Sequence, residues 1–247
     1  MIPNIINFDS LPSTNLEAAR LARAGANEGV CVVAAEQTAG RGRLQRVWLS
    51  PPGAGLYFSI VLRPTLAQGD WPLLTLMAAV AVHDALLAAC LVETDIKWPN
   101  DLLVAEKKLC GILAETVETQ LGRAVVLGIG INLTKDSLPA ELQATATSVE
   151  SVTGVRPELA EVLGALVSEL VTQYESLQRV GGTRKIIREW CLRSSYCEGR
   201  LIRVTEGGET LAGTTRGLEP DGALRVETVG GKIKVLRAGD VTSVRPD

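Results

Sequence analysis

Residues Ala35 to Pro64 read AEQTAGRGRLQRVWLSPPGAGLYFSIVLRP. The apolar run Val30–Ala35 leads into Gly40-Arg41-Gly42-Arg43, with Arg46 and Trp48 beyond it. Pro51-Pro52-Gly53 and Gly55 mark a turn, and a second apolar run, Leu56–Leu62, follows. The pattern predicts two buried strands joined by a loop rich in glycine and arginine. Glycines at 40 and 42 let the backbone approach a ligand and adopt positive φ. Arg41, Arg43 and Arg46 bring permanent charge and planar donor forks suited to carboxylate or phosphate. Arginine–glycine loops also occur in RNA-binding segments. Those are usually repeated, whereas this one stands alone between two apolar runs. It reads as an anion-binding loop for a small ligand.

Working outward, Ser13 or Thr14 can cap a helix carrying Leu16, Ala19 and Leu21, with Gly25 at its end. Taken alone, Ser13-Thr14-Asn15 is equally a capping segment. Trp71–Val92 is nearly long enough to span a bilayer. His83 and Asp84 interrupt it, and its alanines suit packing on a sheet, so it reads as a core helix. His83 is then a helix residue with a satisfied hydrogen bond. A short strand over Thr94–Lys97 ends at Trp98-Pro99. Leu102–Ala105 and Leu109–Thr116 form a hairpin turning at Glu106-Lys107, and Ala124–Leu133 is a further strand. Segment 134–156 is polar and turn-like, and Pro157–Leu177 and Ile186–Leu192 are helical. From Gly199 short β-rich pieces, ending at Val241–Val244, are split by Gly207-Gly208, Asp221-Gly222, Gly230-Gly231 and Gly239-Asp240. That texture indicates a small barrel. A boundary near residue 197 divides the chain into domains 1–197 and 198–247, and the mix of hairpins and helices makes the first α+β.

The net charge of −3 argues against a general nucleic-acid binder, so the loop arginines are a local feature. The five cysteines lack zinc-ligand spacing and there is a single histidine. With no secretory leader evident, free thiols in a reducing cytosol are the plain reading. No phosphate loop of the Gly-x-x-x-x-Gly-Lys type, no nucleophile elbow and no metal-binding histidine pair is present. An enzyme using nucleotide here would work by positioning and charge neutralisation. In Lys97-Trp98-Pro99-Asn100-Asp101 a carboxylate and an asparagine can ligate Mg²⁺ held mainly by substrate phosphates. The same residues are also common turn chemistry. Lys108 leads directly into Leu-Cys-Gly111-Ile-Leu, a buried strand, and can point inward across the hairpin from Asp101.

Five motifs now stand in order: Ser13-Thr14-Asn15; Glu36-Gln37-Thr38-Ala39-Gly40-Arg41-Gly42-Arg43 with Trp48; Lys97-Trp98-Pro99-Asn100-Asp101; Lys108 to Glu115; and Gly128-Ile-Gly130-Ile-Asn132. Together they resemble the biotin protein ligases, over nearly the whole chain including Arg216-Gly217 and Asp221-Gly222 of the barrel. The resemblance implies a mixed β-sheet flanked by helices, of the class II aminoacyl-tRNA synthetase-like type, followed by an SH3-like barrel. It implies an ATP- and Mg²⁺-dependent reaction in which biotin becomes biotinyl-5′-AMP and is passed to a lysine of a biotin carboxyl carrier domain. It implies that Ser13, Thr14 and Gln37 bind the ureido end of biotin. Arg41, Gly42 and Arg43 then line its chain and the phosphate, and Trp48 packs beside it. Asp101 stands near Mg²⁺, Lys108 contacts the carboxylate and then the acyl-adenylate, and Asn132 lies near the adenylate. Arg216 reaches the nucleotide, while Asn15, Gly40 and Gly111 belong to the same binding motifs. On the same resemblance, Lys108, Arg43 and Asp101 are expected to carry the catalysis.

Two departures from the family pattern matter. Gln45 stands where many relatives have glycine, and a side chain there stiffens the loop without removing activity. The Ser-Thr-Asn motif also arrives too early for an N-terminal helix-turn-helix, so repressor function and nucleic-acid binding are not expected. Relatives include dimers of the central domain, which leaves a homodimer open; cytoplasmic placement without membrane association is expected. The runners-up are a lipoate–protein ligase, which should lack these forms of the arginine and lysine motifs, and a non-catalytic nucleic-acid module. The second would need a basic, aromatic barrel face, and residues 199–247 contain no aromatic residue.

Overall fold

The computed structural model describes residues 1–206 and 209–243; the expected Gly207-Gly208 turn and Val244 lie outside these. In chain order the elements are β1 (Asn4–Leu11), α1 (Thr14–Arg23), β2 (Val30–Gln37), β3 (Gly55–Leu62), α2 (Leu73–Cys90), β4 (Asp95–Lys97), β5 (Asp101–Val104), β6 (Lys107–Thr119), β7 (Gly122–Asn132), α3 (Val149–Thr153), α4 (Leu159–Leu177) and α5 (Gly182–Leu192). The barrel strands are β8 (Glu198–Glu206), β9 (Glu209–Leu218), β10 (Leu224–Thr228), β11 (Ile233–Leu236) and β12 (Asp240–Ser243).

The first twelve elements make a seven-stranded sheet in the order β1-β2-β3-β7-β6-β5-β4. Only the β1–β2 pair is parallel, because α1 carries the chain back between them. The expected mixed sheet flanked by helices is therefore present. β1 itself is an addition to the sequence reading, and it forms an outer edge. Helix α1 starts at Thr14 with Ser13 at the capping position, but the Ser13 side chain makes no capping bond. The hairpin turn falls one residue earlier than expected, at Ala105 and Glu106, whose φ values of 49° and 63° give the left-handed backbone a tight hairpin needs.

Period-2 alternation sorts the sheet residues onto two faces. Cys31, Val33, Leu56, Phe58, Ile60, Leu62, Ile129 and Ile131 face α2, α4 and α5 in the main core. Val30, Val32, Val61, Val117, Ala124 and Val126 face Ala18, Ala19 and Ala22 of α1. Helix α2 is apolar enough to cross a membrane by length and composition, yet two-thirds of it is buried in this core. His83 on α2 is buried, with Nδ1 2.9 Å from the Thr94 carbonyl, as expected of a satisfied helix residue.

The second sheet is antiparallel, in the order β11-β10-β9-β8-β12, consistent with the expected SH3-like fold. Its Ile202, Val204, Leu224 and Val226 join the main core. The two sheets are also tied by the Trp98 indole, which donates to the Gly222 carbonyl at 3.1 Å. The free-thiol expectation is corrected at one place, since Cys191 and Cys197 form a disulfide. The chain turns sharply between the end of α5 and β8, which brings their Cα atoms to 5.2 Å, within bridging reach. Cys31, Cys90 and Cys110 are free thiols.

Candidate active site

Helix α1 covers only half of its sheet face. On β7 the residues facing it run Ala124, Val126, Gly128, Gly130, Asn132, so the side chains vanish at the two glycines, where the helix stops. A cavity of about 510 Å³ occupies the uncovered half. Its floor is the cross-strand pair Gly111 and Gly130. The Trp48 ring lies on that floor: a Cβ on Gly130 would stand 2.5 Å from indole Cε2 and Nε1, and one on Gly111 3.0 Å from Cζ3. These glycines are required by close approach and not by backbone angle. The indole N–H is buried and has no hydrogen-bond partner among the described residues.

At the α1 end of the cavity the groups are neutral and polar. Gln37 Oε1 accepts from the Thr14 backbone N–H at 2.8 Å and from the Thr14 hydroxyl at 3.1 Å. The Gln37 amide donates to Ser50 Oγ at 2.8 Å. Ser59 Oγ stands 2.8 Å from Thr14 Oγ1 and 2.6 Å from Asn15 Oδ1. Asn15 in turn donates to Glu115 at 2.9 Å. The first turn of α1 thus opens into the cavity with its N-terminal partial positive charge.

The opposite end is cationic. Lys108 Nζ lies 5.4 Å from the Trp48 ring centroid and 2.6 Å from Asp101 Oδ1. That pair is in ionic contact, although its angles miss those of a hydrogen bond. The Lys108 backbone is fixed on both sides: its N–H donates to Thr145 O and its carbonyl accepts from Thr147, each at 2.9 Å. Arg43 donates to Asn100 Oδ1 at 3.0 Å, and Asn100 donates to the Ile112 carbonyl at 2.8 Å. Burial, opposed by Asp240 and Asp101, lowers the Arg43 pKa; burial likewise lowers that of Lys97, which also lines the cavity. Burial pushes the neighbouring Cys110 thiol up, which removes it as a nucleophile.

The glycine–arginine loop is a small hairpin closed by Gly42 N–H to Arg46 O at 2.7 Å and Trp48 N–H to Gly40 O at 3.0 Å. Leu44 and Gln45 at its tip have φ of 54° and 60°. Arg41 pairs with Glu115 at 2.8 Å.

Of the expected residues, Ser13, Thr14, Asn15, Gln37, Arg41, Gly42, Arg43, Trp48, Asp101, Lys108, Gly111 and Asn132 all line this one cavity. Gly40 does not; it is a tight crossing beneath the loop, where a Cβ would lie 2.8 Å from Ser50 Oγ. Arg216 is not brought to the cavity either. It lies on β9, held by Glu227 at 2.7 Å and Glu198 at 3.5 Å. The structure adds Ser59, Gly128, Gly130, Lys97, Glu106 and Tyr196 to the surroundings, and Asp240 and Thr242 from the barrel. Glycine alternation on β7 could have signalled the floor; the barrel residues carry no local signal.

No group of three or more His, Cys, Asp or Glu suited to a metal exists among the described residues. Among the described residues Asp101 Oδ1 accepts no hydrogen bond of good geometry, and its neighbour is the Lys108 ammonium at 2.6 Å. A single carboxylate at this place fits an Mg²⁺ whose other ligands are phosphate and water.

A flat apolar floor between a neutral polar end and a cationic end suits a slender ligand with a polar head and an anionic tail. The chain belongs to the biotin/lipoate A/B protein ligase family, whose model matches residues 6–132, and the biotin protein ligase C-terminal domain matches residues 199–242. It is 38% identical over 244 residues to the bifunctional ligase/repressor BirA of Bacillus spizizenii, covering 96% of this chain and 73% of that protein. It is 34% identical over 238 residues to the biotin–[acetyl-CoA-carboxylase] ligase of Mycobacterium tuberculosis, covering 94% of this chain and 86% of that one. Among solved structures, the biotin protein ligase from Aquifex aeolicus in complex with biotin and ATP matches with a TM-score of 0.85 at 28% identity, covering 98% of this chain and 99% of that one.

Proposed function

We propose that the cavity activates biotin with ATP and delivers it to a lysine of a carrier protein. The single observation that carries this reading is the order of groups along one floor. Neutral donors and acceptors (Ser13, Thr14, Gln37) come first, then the apolar Trp48–Gly111–Gly130 slot, then Arg43, Lys97 and Lys108. That order matches a ureido ring, an aliphatic chain and a carboxylate meeting a triphosphate.

In the first step a biotin carboxylate oxygen attacks the α-phosphorus of ATP. The new O–P bond forms as the bond to the β-phosphate bridging oxygen breaks, and pyrophosphate leaves. Two anions must meet, so Lys108 and Arg43 screen their repulsion and hold the carboxylate in line. Asp101 keeps the Lys108 ammonium aimed. In the second step the carrier amine attacks the anhydride carbonyl; a C–N bond forms, a proton leaves the amine, and AMP departs. The arginine loop excludes water from the anhydride between the steps. Asp101 is the residue that would hold Mg²⁺, which supplies further charge neutralisation to the phosphates when bound. Asn15 supports the ureido end through Glu115 and Ser59, and Asn132 borders the nucleotide side.

We divide the chain into a catalytic part, 1–197, and a barrel, 198–247; the start of β8 at Glu198 supports that division. A biotin carboxyl carrier domain is the expected partner, without nucleic acid, given the net charge of −3. A cytoplasmic setting accords with the free Cys31, Cys90 and Cys110, while the Cys191–Cys197 bond counts against a strongly reducing one. Homodimer formation is a separate question for light scattering.

The test is incubation with biotin, Mg-ATP and a biotin carrier domain, read by intact mass. Biotin should appear as an amide on the carrier lysine. A carrier left unmodified overturns the proposal, and transfer of lipoate in its place selects the lipoate-ligase reading.

A further inference from the structure

The barrel does more than pack beneath the catalytic sheet. It sends Asp240 and Thr242 of β12 into the cavity wall. Pairing of Asp240 with Thr205 and of Thr242 with Arg203 on β8 fixes this strand. The Asp240 carboxylate takes both terminal nitrogens of Arg46: Nη1 donates to Oδ1 at 3.2 Å, and Nη2 donates to Oδ2 more closely still. Arg46 is the residue that closes the loop hairpin. Its carbonyl accepts from Gly42 N–H at 2.7 Å, and its own N–H donates to Arg43 O at 3.1 Å. Whatever holds the Arg46 side chain therefore holds the Gly42–Arg43 backbone. The loop tip needs such an anchor. Leu44 and Gln45 are consecutive side-chain-bearing residues in the left-handed region, a conformation that disfavours itself.

We propose that Asp240 is a positioning residue for the reaction: it fastens the arginine loop from the barrel through Arg46, and so sets how long the acyl-adenylate stays in the cavity. The proposal rests on the function assigned above. Asp240 also stands within electrostatic range of Arg43 and Lys97, so it adds a counter-charge at the cationic end. Arg46 is 66% exposed and Asp240 35%, which makes the latch a weak one, open to exchange with solvent. A weak latch suits a loop that must close over an intermediate and reopen for a carrier.

Two measurements on the full chain test it. The first needs no catalysis: limited trypsin cleavage of ligand-free Asp240→Asn after Arg41 and Arg43. Cleavage should be about three- to fivefold faster than in the parent. The second follows escape of labelled biotinyl-5′-AMP without carrier, for Asp240→Asn, Arg46→Ala and the double variant. Each single variant should release it about three- to fivefold faster, the double no faster than either single, and high salt should erase the difference. Parent-like cleavage and parent-like escape in Asp240→Asn overturn the latch, as does a double variant whose effect is the product of the singles. A parent that makes no adenylate refutes the assigned reaction instead, and the trypsin result then still decides the latch.

Discussion

The cavity has two cationic walls built on opposite plans. The Lys97–Gly111 wall belongs to the sheet: Lys108 sits where β5 and β6 pair, opposite Leu103, and its backbone is bonded to Thr145 and Thr147 as well. The arginine loop belongs to no sheet. Its side chains reach three separate elements: Arg41 to Glu115 on β6, Arg43 to Asn100 between β4 and β5, and Arg46 to Asp240 on β12. Backbone pairing fixes a charge to within the precision that bond formation needs. Side-chain anchors of modest strength hold a cover that can be released. On the proposed function, the difference gives the lysine wall the larger share of the chemistry, and gives the arginine wall retention beside the screening that Arg43 supplies.

The strongest way to break this division is Lys108→Ala. The lysine is about one-third exposed and its carboxylate partner more buried, so its loss removes one ion pair and the contact with the Trp48 ring. Single-turnover adenylate formation should slow by about 100-fold or more, on the scale of one lost charge-stabilising donor. Thermal unfolding should shift by only a few degrees. A collapse of stability with proportionate loss of activity would make the lysine structural and erase the contrast between the walls.

Gly130→Ala tests the floor that both walls share. Its Cβ would stand 2.5 Å from the Trp48 ring, so the indole must lift. Overpacking of this kind typically costs about 1–3 kcal/mol. Biotin affinity by calorimetry should fall about tenfold or more, with little change in the nucleotide affinity. Equal weakening of both ligands would mean that Trp48 does not separate the apolar slot from the cationic end.

Arg43→Ala tests the cover. Arg43 reaches across to Asn100, and a charge-assisted hydrogen bond contributes roughly 1.5–3 kcal/mol. Escape of biotinyl-5′-AMP should therefore rise about tenfold, while adenylate formation slows less than in Lys108→Ala. The reverse ranking of the two variants would exchange the roles of the walls.

These two walls were not equally legible in the sequence. The lysine wall lies within one continuous stretch, Lys97 to Gly111, where proline, a tight turn and an apolar run each leave a local mark. The arginine loop was legible as a loop, but its partners were not. Glu115 lies 74 residues from Arg41 and Asp240 lies 194 from Arg46, and no periodicity or turn rule couples residues so far apart. Strand β1 escaped for a different reason. It is an edge strand whose residues are mostly exposed or half-exposed, so the apolar alternation that marks a buried strand is faint. Arg216 shows the converse: its motif placed it in the barrel, while the acids Glu227 and Glu198 decide where its side chain goes.

The smallest predicted effect bears on how the loop tip is held. Gln45, at φ 60°, stands in a left-handed conformation that costs an L-residue roughly 1–2 kcal/mol. Glycine meets no such cost there, but it gives up about 0.5–1 kcal/mol more backbone entropy on ordering. The difference favours the observed turn in Gln45→Gly by roughly 0.5–1 kcal/mol. If the closed loop is what retains the intermediate, escape from Gln45→Gly should be about two- to fivefold slower than from the parent, with adenylate formation little changed. If escape is faster, the glutamine side chain acts by stiffening the loop, as its place in the motif first suggested. The left-handed turn would then be incidental to retention. Either result separates the two ways a loop outside the sheet can be held: by the conformation of its own backbone, or by what its side chains grip.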